Sequence, residues 1–462
     1  MYIEQLYTGC LAEAAYYIES EGEAAIIDPL RETSPYIELA AKRNAKIKYV
    51  FETHFHADFV SGHIDLARKT GSSIVFGPTA QTGYDVIVAK DDEVFSIGKI
   101  KLKVLHTPGH TLESSCFLLI DENGNNNAVF TGDTLFVGDV GRPDLAIKSD
   151  LTIDDLAGML FDSLNSKIKP LADDVIVYPA HGAGSSCGKN IGKETFSTIG
   201  TQKKLNYAMQ PMNKLDFIKA VTDGLSSAPG YFAMDAKLNK EGYDSIDDVL
   251  KKNTKALTVT EFETEMAKGA LVLDVRSADD FEKGFVPKAI NIGLNGQYAP
   301  WVGMLIDGNV PLILVAEDGK EAEAVLRLAR VGYEKVNGYL KGGISAWKNE
   351  GKKIETIESV TAEDFVAKID PSSNILDVRK LGEVESGIVE NAQHMCLSKL
   401  QTELNSLDKN KHYFVHCAGG YRSMMAASIL KQKGFTKITN VLGGMGKISA
   451  TGIKLVQPAL TF

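Results

Sequence analysis

Three things are scarce in this 462-residue chain: cysteine, uninterrupted apolar sequence and clustered positive charge. The five cysteines (Cys10, Cys116, Cys187, Cys396 and Cys417) are odd in number and widely scattered. That excludes a disulfide framework and suits individual thiols in a reducing cytoplasm. No apolar run approaches the roughly 20 residues a bilayer span requires. Met1-Tyr2-Ile3-Glu4-Gln5-Leu6 lacks the basic and apolar regions of a secretory signal. A cytoplasmic protein without a membrane partner is expected. The formal net charge of −10, with no basic cluster, argues against nucleic acid as a partner. With 44% hydrophobic and 24% charged residues, the length fits about three domains.

Against this ordinary composition, histidine and aspartate are placed with a pattern. Ile47-Lys48-Tyr49-Val50-Phe51-Glu52 reads as a strand and runs into Thr53-His54-Phe55-His56-Ala57-Asp58-Phe59. Ile100-Lys101-Leu102-Lys103-Val104-Leu105 alternates like a half-buried strand and runs into His106-Thr107-Pro108-Gly109-His110. Ala128-Val129-Phe130 leads to Thr131-Gly132-Asp133, and Val175-Ile176-Val177-Tyr178 to Pro179-Ala180-His181-Gly182. Each predicted strand delivers donors at its C-terminal end, with Gly or Pro nearby to turn the chain. Loops at one end of a sheet scaffold can converge on one ion. His63, His394 and His412 lie outside these clusters and read as surface or core histidines.

His54-Phe55-His56-Ala57-Asp58, Thr107-Pro108-Gly109-His110, Thr131-Gly132-Asp133 and His181 resemble the signature of the metallo-β-lactamase fold, an αββα sandwich with metal at one edge. Hydrolases of that superfamily, such as glyoxalase II, place a second His directly after the Asp and bind two metals. Here that position is Phe59. The resemblance to the persulfide dioxygenase branch implies one non-haem Fe(II) per chain, held by His54, His110 and Asp133, although that branch often keeps the His that Phe59 replaces. Two imidazoles and a carboxylate on one face leave positions open for sulfur and dioxygen. His56, Asp58 and His181 are then expected as groups that orient ligands or anchor water. Gly138-Asp139-Val140-Gly141-Arg142-Pro143-Asp144 resembles a loop of the same branch, with Arg142 expected to brace Asp133, bind an acidic substrate or form a structural salt bridge.

The C-terminal part repeats itself. Leu273-Asp274-Val275-Arg276 recurs as Leu376-Asp377-Val378-Arg379, an offset of 103, and Gly342-Gly343 recurs as Gly443-Gly444, an offset of 101. Each copy carries an apolar strand, a loop and a helix: Leu312 to Val315 then Glu321 to Val331, and Tyr413 to His416 then Arg422 to Lys433. Two small parallel α/β domains are predicted. The second loop, Cys417-Ala418-Gly419-Gly420-Tyr421-Arg422-Ser423, sets a thiol at a strand tip before a helix N-terminus. Backbone N–H groups there favour an anion or thiolate, and Arg422 adds charge. This loop and its flanks resemble rhodanese sulfurtransferases, with Cys417 as the persulfide carrier. Phosphatases with a Cys-x₅-Arg loop fit less well, because this loop is one residue shorter. In the first copy Ala316 stands opposite Cys417 and Glu321 opposite Arg422, so that copy is expected to be inactive, a spacer or a dimerisation surface.

Cys187 lies in a Gly/Ser loop six residues after His181. It is either an ordinary loop cysteine or a sulfur-accepting one. Gly184 to Lys189 is too short for a phosphate loop, and Asn190 replaces its Ser/Thr. Cys10, Cys116 and Cys396 read as core residues.

The expected architecture is a metallo-β-lactamase-like domain over residues 1–225, a connector over 226–255 beginning Ser226-Ser227-Ala228-Pro229-Gly230, an inactive rhodanese-like domain over 256–355 and an active one over 356–462. The combined resemblance implies oxidation of a thiol persulfide by O2 to sulfite, coupled to thiosulfate formation or consumption at Cys417. Homo-oligomers, dimers or tetramers, are expected of such fusions. Thioester hydrolysis of glyoxalase II type and a non-catalytic sulfur-binding scaffold are the competing readings.

Overall fold

The computed structural model describes residues 1–146, 151–225 and 227–458; Ser226, the first residue of the expected connector, lies outside them. The chain forms two compact units. One comprises Met1–Val249 with Leu328–Gly332, the other Leu250–Arg327 with the residues from Tyr333 onward.

The first unit is built on two six-stranded sheets. One runs Tyr2–Thr8, Glu13–Ser20, Glu23–Ile27, Lys46–Glu52, Ser73–Phe76, Ile87–Val88. The other runs Ser197–Thr198, Ile176–Pro179, Asn126–Gly132, Ser115–Ile120, Ile100–His106, Val94–Ile97. Side-chain alternation along each strand builds the layers. Ala14, Tyr16 and Ile18 point into a core shared with Phe51, Phe117 and Phe130 from both sheets. Their neighbours Ala15 and Tyr17 point outward, onto Tyr36 and Leu66 of the helices Ser34–Lys42 and His63–Thr70. On the far side, Cys116, Leu118, Val129 and Val177 meet Leu160 and Phe217 of the helices Ile153–Ser163 and Lys214–Thr222. The result is helix, sheet, sheet, helix. In this unit the four predicted strand ends fall at Glu52, His106, Gly132 and Pro179.

The stretch read as a connector contains two helices, Phe232–Glu241 and Ile246–Asn253. Its first part belongs to the first unit, because buried Asn239 hydrogen-bonds the carbonyls of His56 and Phe59 at 2.7 and 2.8 Å. Nothing in the Ser/Pro/Gly composition at its start announced that packing.

The second unit holds two five-stranded sheets of identical order. The first runs Ala256–Leu257, Val336–Leu340, Leu312–Val315, Leu271–Asp274, Ile290–Asn291, and the second runs Glu358–Val360, Ile438–Val441, Tyr413–His416, Asn374–Asp377, Gln393–His394. All neighbouring pairs are parallel, as alternating strands and helices require. The helices after the central loops are Glu321–Ala329 and Tyr421–Gln432, each within two residues of its expected ends. Among the described residues, no helix is long and apolar enough to cross a membrane. Cys116 is buried as expected, but Cys10, in a turn, and Cys396, just before the short 3-10 helix Leu397–Lys399, are only half-buried, since both lie outside the strands.

Candidate functional site

The strand ends of the first unit bring His54, His110 and Asp133 together, one ligand atom of each lying within 4.8 Å of the others. His110 Nε2 stands 3.3 Å and His54 Nε2 3.9 Å from the same oxygen of Asp133. His181 Nε2 faces the other Asp133 oxygen at 3.5 Å. All four side chains are buried. The three Nε2 atoms and both Asp133 oxygens have no hydrogen-bond partner. Buried polar atoms are ordinarily satisfied, so a converging set of orphans fits a bound cation.

The outer nitrogens account for the orientation. His110 Nδ1 donates to the Arg142 carbonyl at 2.8 Å, and His181 Nδ1 donates to the Ala12 carbonyl at 3.1 Å. His54 Nδ1 lies 2.9 Å from the Thr53 hydroxyl, which already donates to Asp28 at 2.8 Å. The imidazole must therefore donate from Nδ1, leaving Nε2 as a lone pair aimed inward. Burial, reinforced by the neighbouring His56, His110 and His181, pushes the His54 pKa well below its ordinary value and keeps it neutral. For His181, Asp58 and Asp133 overcome burial and raise the pKa.

The remaining residues divide. His56 turns Nε2 away toward Asp28, at 3.1 Å, and Glu52, at 3.5 Å. Phe59 is fully buried and packs on the His56 ring with centroids 4.4 Å apart. Asp58 meets His181 at 3.3 Å, and the Cys187 sulfur completes a second buried trio with them within 4.8 Å. Chain proximity to His181 was the sole sequence signal for that thiol. Burial, with Asp58 and Asp133 adding to it, pushes the Cys187 pKa well up. The Arg142 guanidinium pairs with Asp144 at 2.6 and 2.7 Å, the salt bridge among its expected roles, and its carbonyl braces His110. Sequence reasoning missed Asp28, Glu52 and Asn239, which lack any motif and are recognisable only by what they touch. It missed Glu13 too, a buried acid whose backbone bridges to His181 and whose pKa is driven well up by burial and then by Asp28.

The second unit carries the other candidate residues. Cys417 follows the strand Tyr413–His416, is buried, and accepts a hydrogen bond from the Gly420 N–H at 3.1 Å. Its carbonyl is held by Met445 N–H at 2.7 Å. Arg422 is not a free anion clamp: Glu383 holds its two terminal nitrogens at 2.6 and 2.7 Å. The groups left at this loop that could receive an anion are backbone N–H groups at the helix N-terminus. In the first copy Ala316 occupies the strand tip, and the exposed Glu317 and Asp318 follow it.

Comparison with known proteins agrees with both units. The model of the metallo-beta-lactamase superfamily matches residues 8–76 and 70–181, and the rhodanese-like domain model matches residues 258–350 and 361–451. A probable hydroxyacylglutathione hydrolase, glo2 of Schizosaccharomyces pombe, is 33% identical over 40% of this chain and 68% of its own length. The crystal structure of a metallo-beta-lactamase from Staphylococcus aureus is 32% identical, covering 74% of this chain and 98% of that one at a TM-score of 0.65. ETHE1 from Myxococcus xanthus is 26% identical, covering 52% of this chain and 98% of that one at a TM-score of 0.44. The chain belongs to the metallo-β-lactamase superfamily and carries two rhodanese-like domains after that unit in the sequence.

Proposed function

We propose that the first unit oxidises a low-molecular-weight thiol persulfide to sulfite at a single iron, and that Cys417 carries sulfane sulfur to or from thiosulfate. One observation carries this reading. His54, His110 and Asp133 converge as a buried donor trio, and Phe59, where related hydrolases place a further His, is fully buried. His54, His110 and Asp133 would hold ferrous iron, which would supply redox chemistry with dioxygen when bound. The protein's own part is positional. Thr53, the Arg142 carbonyl and the Ala12 carbonyl fix three imidazoles with their lone pairs inward. Phe59 packs on the His56 ring and offers no further donor to a second ion.

The overall step balances as RSSH + O2 + H2O giving RSH + sulfite + 2 H⁺, with sulfane sulfur oxidised and dioxygen reduced. At Cys417 a persulfide anion would pass its outer sulfur to sulfite, leaving a thiolate and thiosulfate. The reverse flow uses the same atoms. The Gly420 N–H that reaches the Cys417 sulfur would stabilise the leaving thiolate.

A second reading is thioester hydrolysis with two ions. The glo2 relative carries a hydrolase name, and Asp58, His181 and Cys187 offer a second buried donor trio. Protein purified without oxygen and assayed with glutathione persulfide in an oxygen electrode separates the two. The proposal expects one iron per chain and one O2 consumed per persulfide. Two zinc ions, no oxygen uptake and hydrolysis of a glutathione thioester would sink it.

A further inference from the structure

The first rhodanese-like copy has lost its thiol, yet it touches the thiol loop of the second. Tyr421, the residue after Gly420, donates its hydroxyl to the Gly293 carbonyl of the first copy at 2.6 Å. Its ring lies flush on Gly296, where an added Cβ would stand 2.5 Å from a ring carbon. A side chain at position 296 and the tyrosine ring cannot share that space. The slot is also held from behind. Arg327, on the helix Glu321–Ala329, donates to the carbonyls of Leu294 at 2.6 Å and Gly296 at 2.9 Å.

Burial along the helix Tyr421–Gln432 supports the same conclusion. Eight consecutive residues, Ser423 to Leu430, are buried, so the helix has no solvent stripe. Its own strands Tyr413–His416 and Ile438–Val441 cover one side, and the strand Ile290–Asn291 of the first copy lies against it as well. There the Ser428 hydroxyl accepts the Asn291 N–H at 3.0 Å.

We propose that the thiol-less copy is the positioning half of the sulfur-transfer centre, acting through a slot at Gly293 and Gly296 that seats Tyr421 and so fixes the Cys417 loop. This rests on Cys417 as the sulfur carrier. Tyr421 is a positioning residue: it adjoins Gly420, whose N–H contacts the Cys417 sulfur. Tilting the ring out of its slot moves that N–H, and displacements of this kind cost rate without removing any reacting group.

The test places the change in the inactive copy. Full-length Gly296→Ala is expected to lower thiosulfate:cyanide sulfurtransferase kcat/KM by about tenfold and to change the iodoacetamide alkylation rate of Cys417 by a similar factor, because sub-ångström to ångström misplacement has effects of this order. Tyr421→Phe, which keeps the ring and drops the hydroxyl, should lose about threefold, and Tyr421→Ala should lose no more in the Gly296→Ala background than the single change already has. Unchanged kcat/KM and alkylation in a folded Gly296→Ala protein would overturn the proposal. If that variant does not fold, wild-type behaviour of Tyr421→Ala would overturn it equally. Absence of sulfurtransferase activity in the wild type would count against the Cys417 reading alone, since the alkylation rates still report whether the slot positions the loop.

Discussion

The two rhodanese-like copies are the same scaffold with and without a thiol at the strand tip. Arg276 binds both oxygens of Asp274 and the Gly284 carbonyl, and Arg379 binds both oxygens of Asp377 and the Gly387 carbonyl. These pairs are buried, so losing one partner would strand a charge away from water. The pair therefore serves the fold in the copy without the thiol as well as in the copy with it. The differences lie at the strand tip and on the next helix: Ala316 against Cys417, and Glu321 against an Arg422 paired with Glu383. The buried carboxylate–guanidinium pair is thus common to both copies, while the thiol is confined to one short loop. The two can be lost separately.

The largest effect should come from that loop. Cys417→Ser is expected to lower thiosulfate:cyanide transfer by roughly 10³-fold or more, the scale seen when a covalent nucleophile is removed. Oxygen consumption with glutathione persulfide should persist. The reciprocal change, Ala316→Cys made in the Cys417→Ser background, should give no measurable transfer, because Glu317 and Asp318 follow position 316 where Ala418 and Gly419 follow position 417. Sulfur transfer by Ala316→Cys in a Cys417→Ser background would break the distinction between the copies. Equal loss of oxygen uptake and sulfur transfer in Cys417→Ser would argue against two separate centres.

A smaller contrast lies beneath the loops. Gly444 has φ +52°, and a Cβ there would stand 2.3 Å from the Cys417 carbonyl oxygen. Gly343 has φ +55°, but its Cβ would stand 3.1 Å from the Ala316 oxygen. Alanine at either site meets the left-handed backbone penalty of about 1–2 kcal/mol. At Gly444 the clash with backbone adds to it and displaces the carbonyl beside the reactive thiol. Urea denaturation should therefore find Gly444→Ala the more destabilised, by about 1–3 kcal/mol in excess. Sulfur transfer should fall for Gly444→Ala and hold for Gly343→Ala. Identical stability losses would mean that the closer approach under Cys417 has no energetic consequence.

The same comparison separates what was legible in the sequence from what was not. The repeat was legible because Asp-Val-Arg and Gly-Gly are local signals with fixed offsets, and Cys417 was legible because a strand tip is local too. His54, His110 and Asp133 were readable for the same reason, each closing a predicted strand. The partners were not. Glu383 is 39 residues from Arg422, and Asn239 is 183 residues from the His56 carbonyl that it bonds. Cys187 reaches Asp58 only through the fold. Helix 232–241 carries no periodic stripe strong enough to mark what it braces, and Tyr421 looks like any helix-start aromatic until Gly296 is seen beneath it.

The smallest expected effect is electrostatic and depends on pH. Glu383 in the second copy corresponds to Asp280 in the first, at the offset of 103. Each takes a hydrogen bond through its backbone carbonyl from the preceding arginine, Arg379 at 3.0 Å and Arg276 at 3.5 Å. Their carboxylates differ. Asp280 accepts from the Ser277 hydroxyl at 2.8 Å, whereas Glu383 pairs with Arg422. The Arg422 hydrogen bonds hold the Glu383 pKa below its ordinary 4.5. A depressed folded-state value means that the pair's stabilisation is complete above the unfolded glutamate pKa and fades as pH falls through the lower folded one. Because Glu383 is partly exposed, solvent screening keeps the contribution to about 1 kcal/mol or less. Glu383→Gln should thus be slightly less stable than wild type near neutrality, and the gap should close as pH drops below about 4. Denaturation midpoints at neutral and acid pH measure it. A gap that stays constant across that range would mean that the Arg422–Glu383 contact contributes through shape rather than charge.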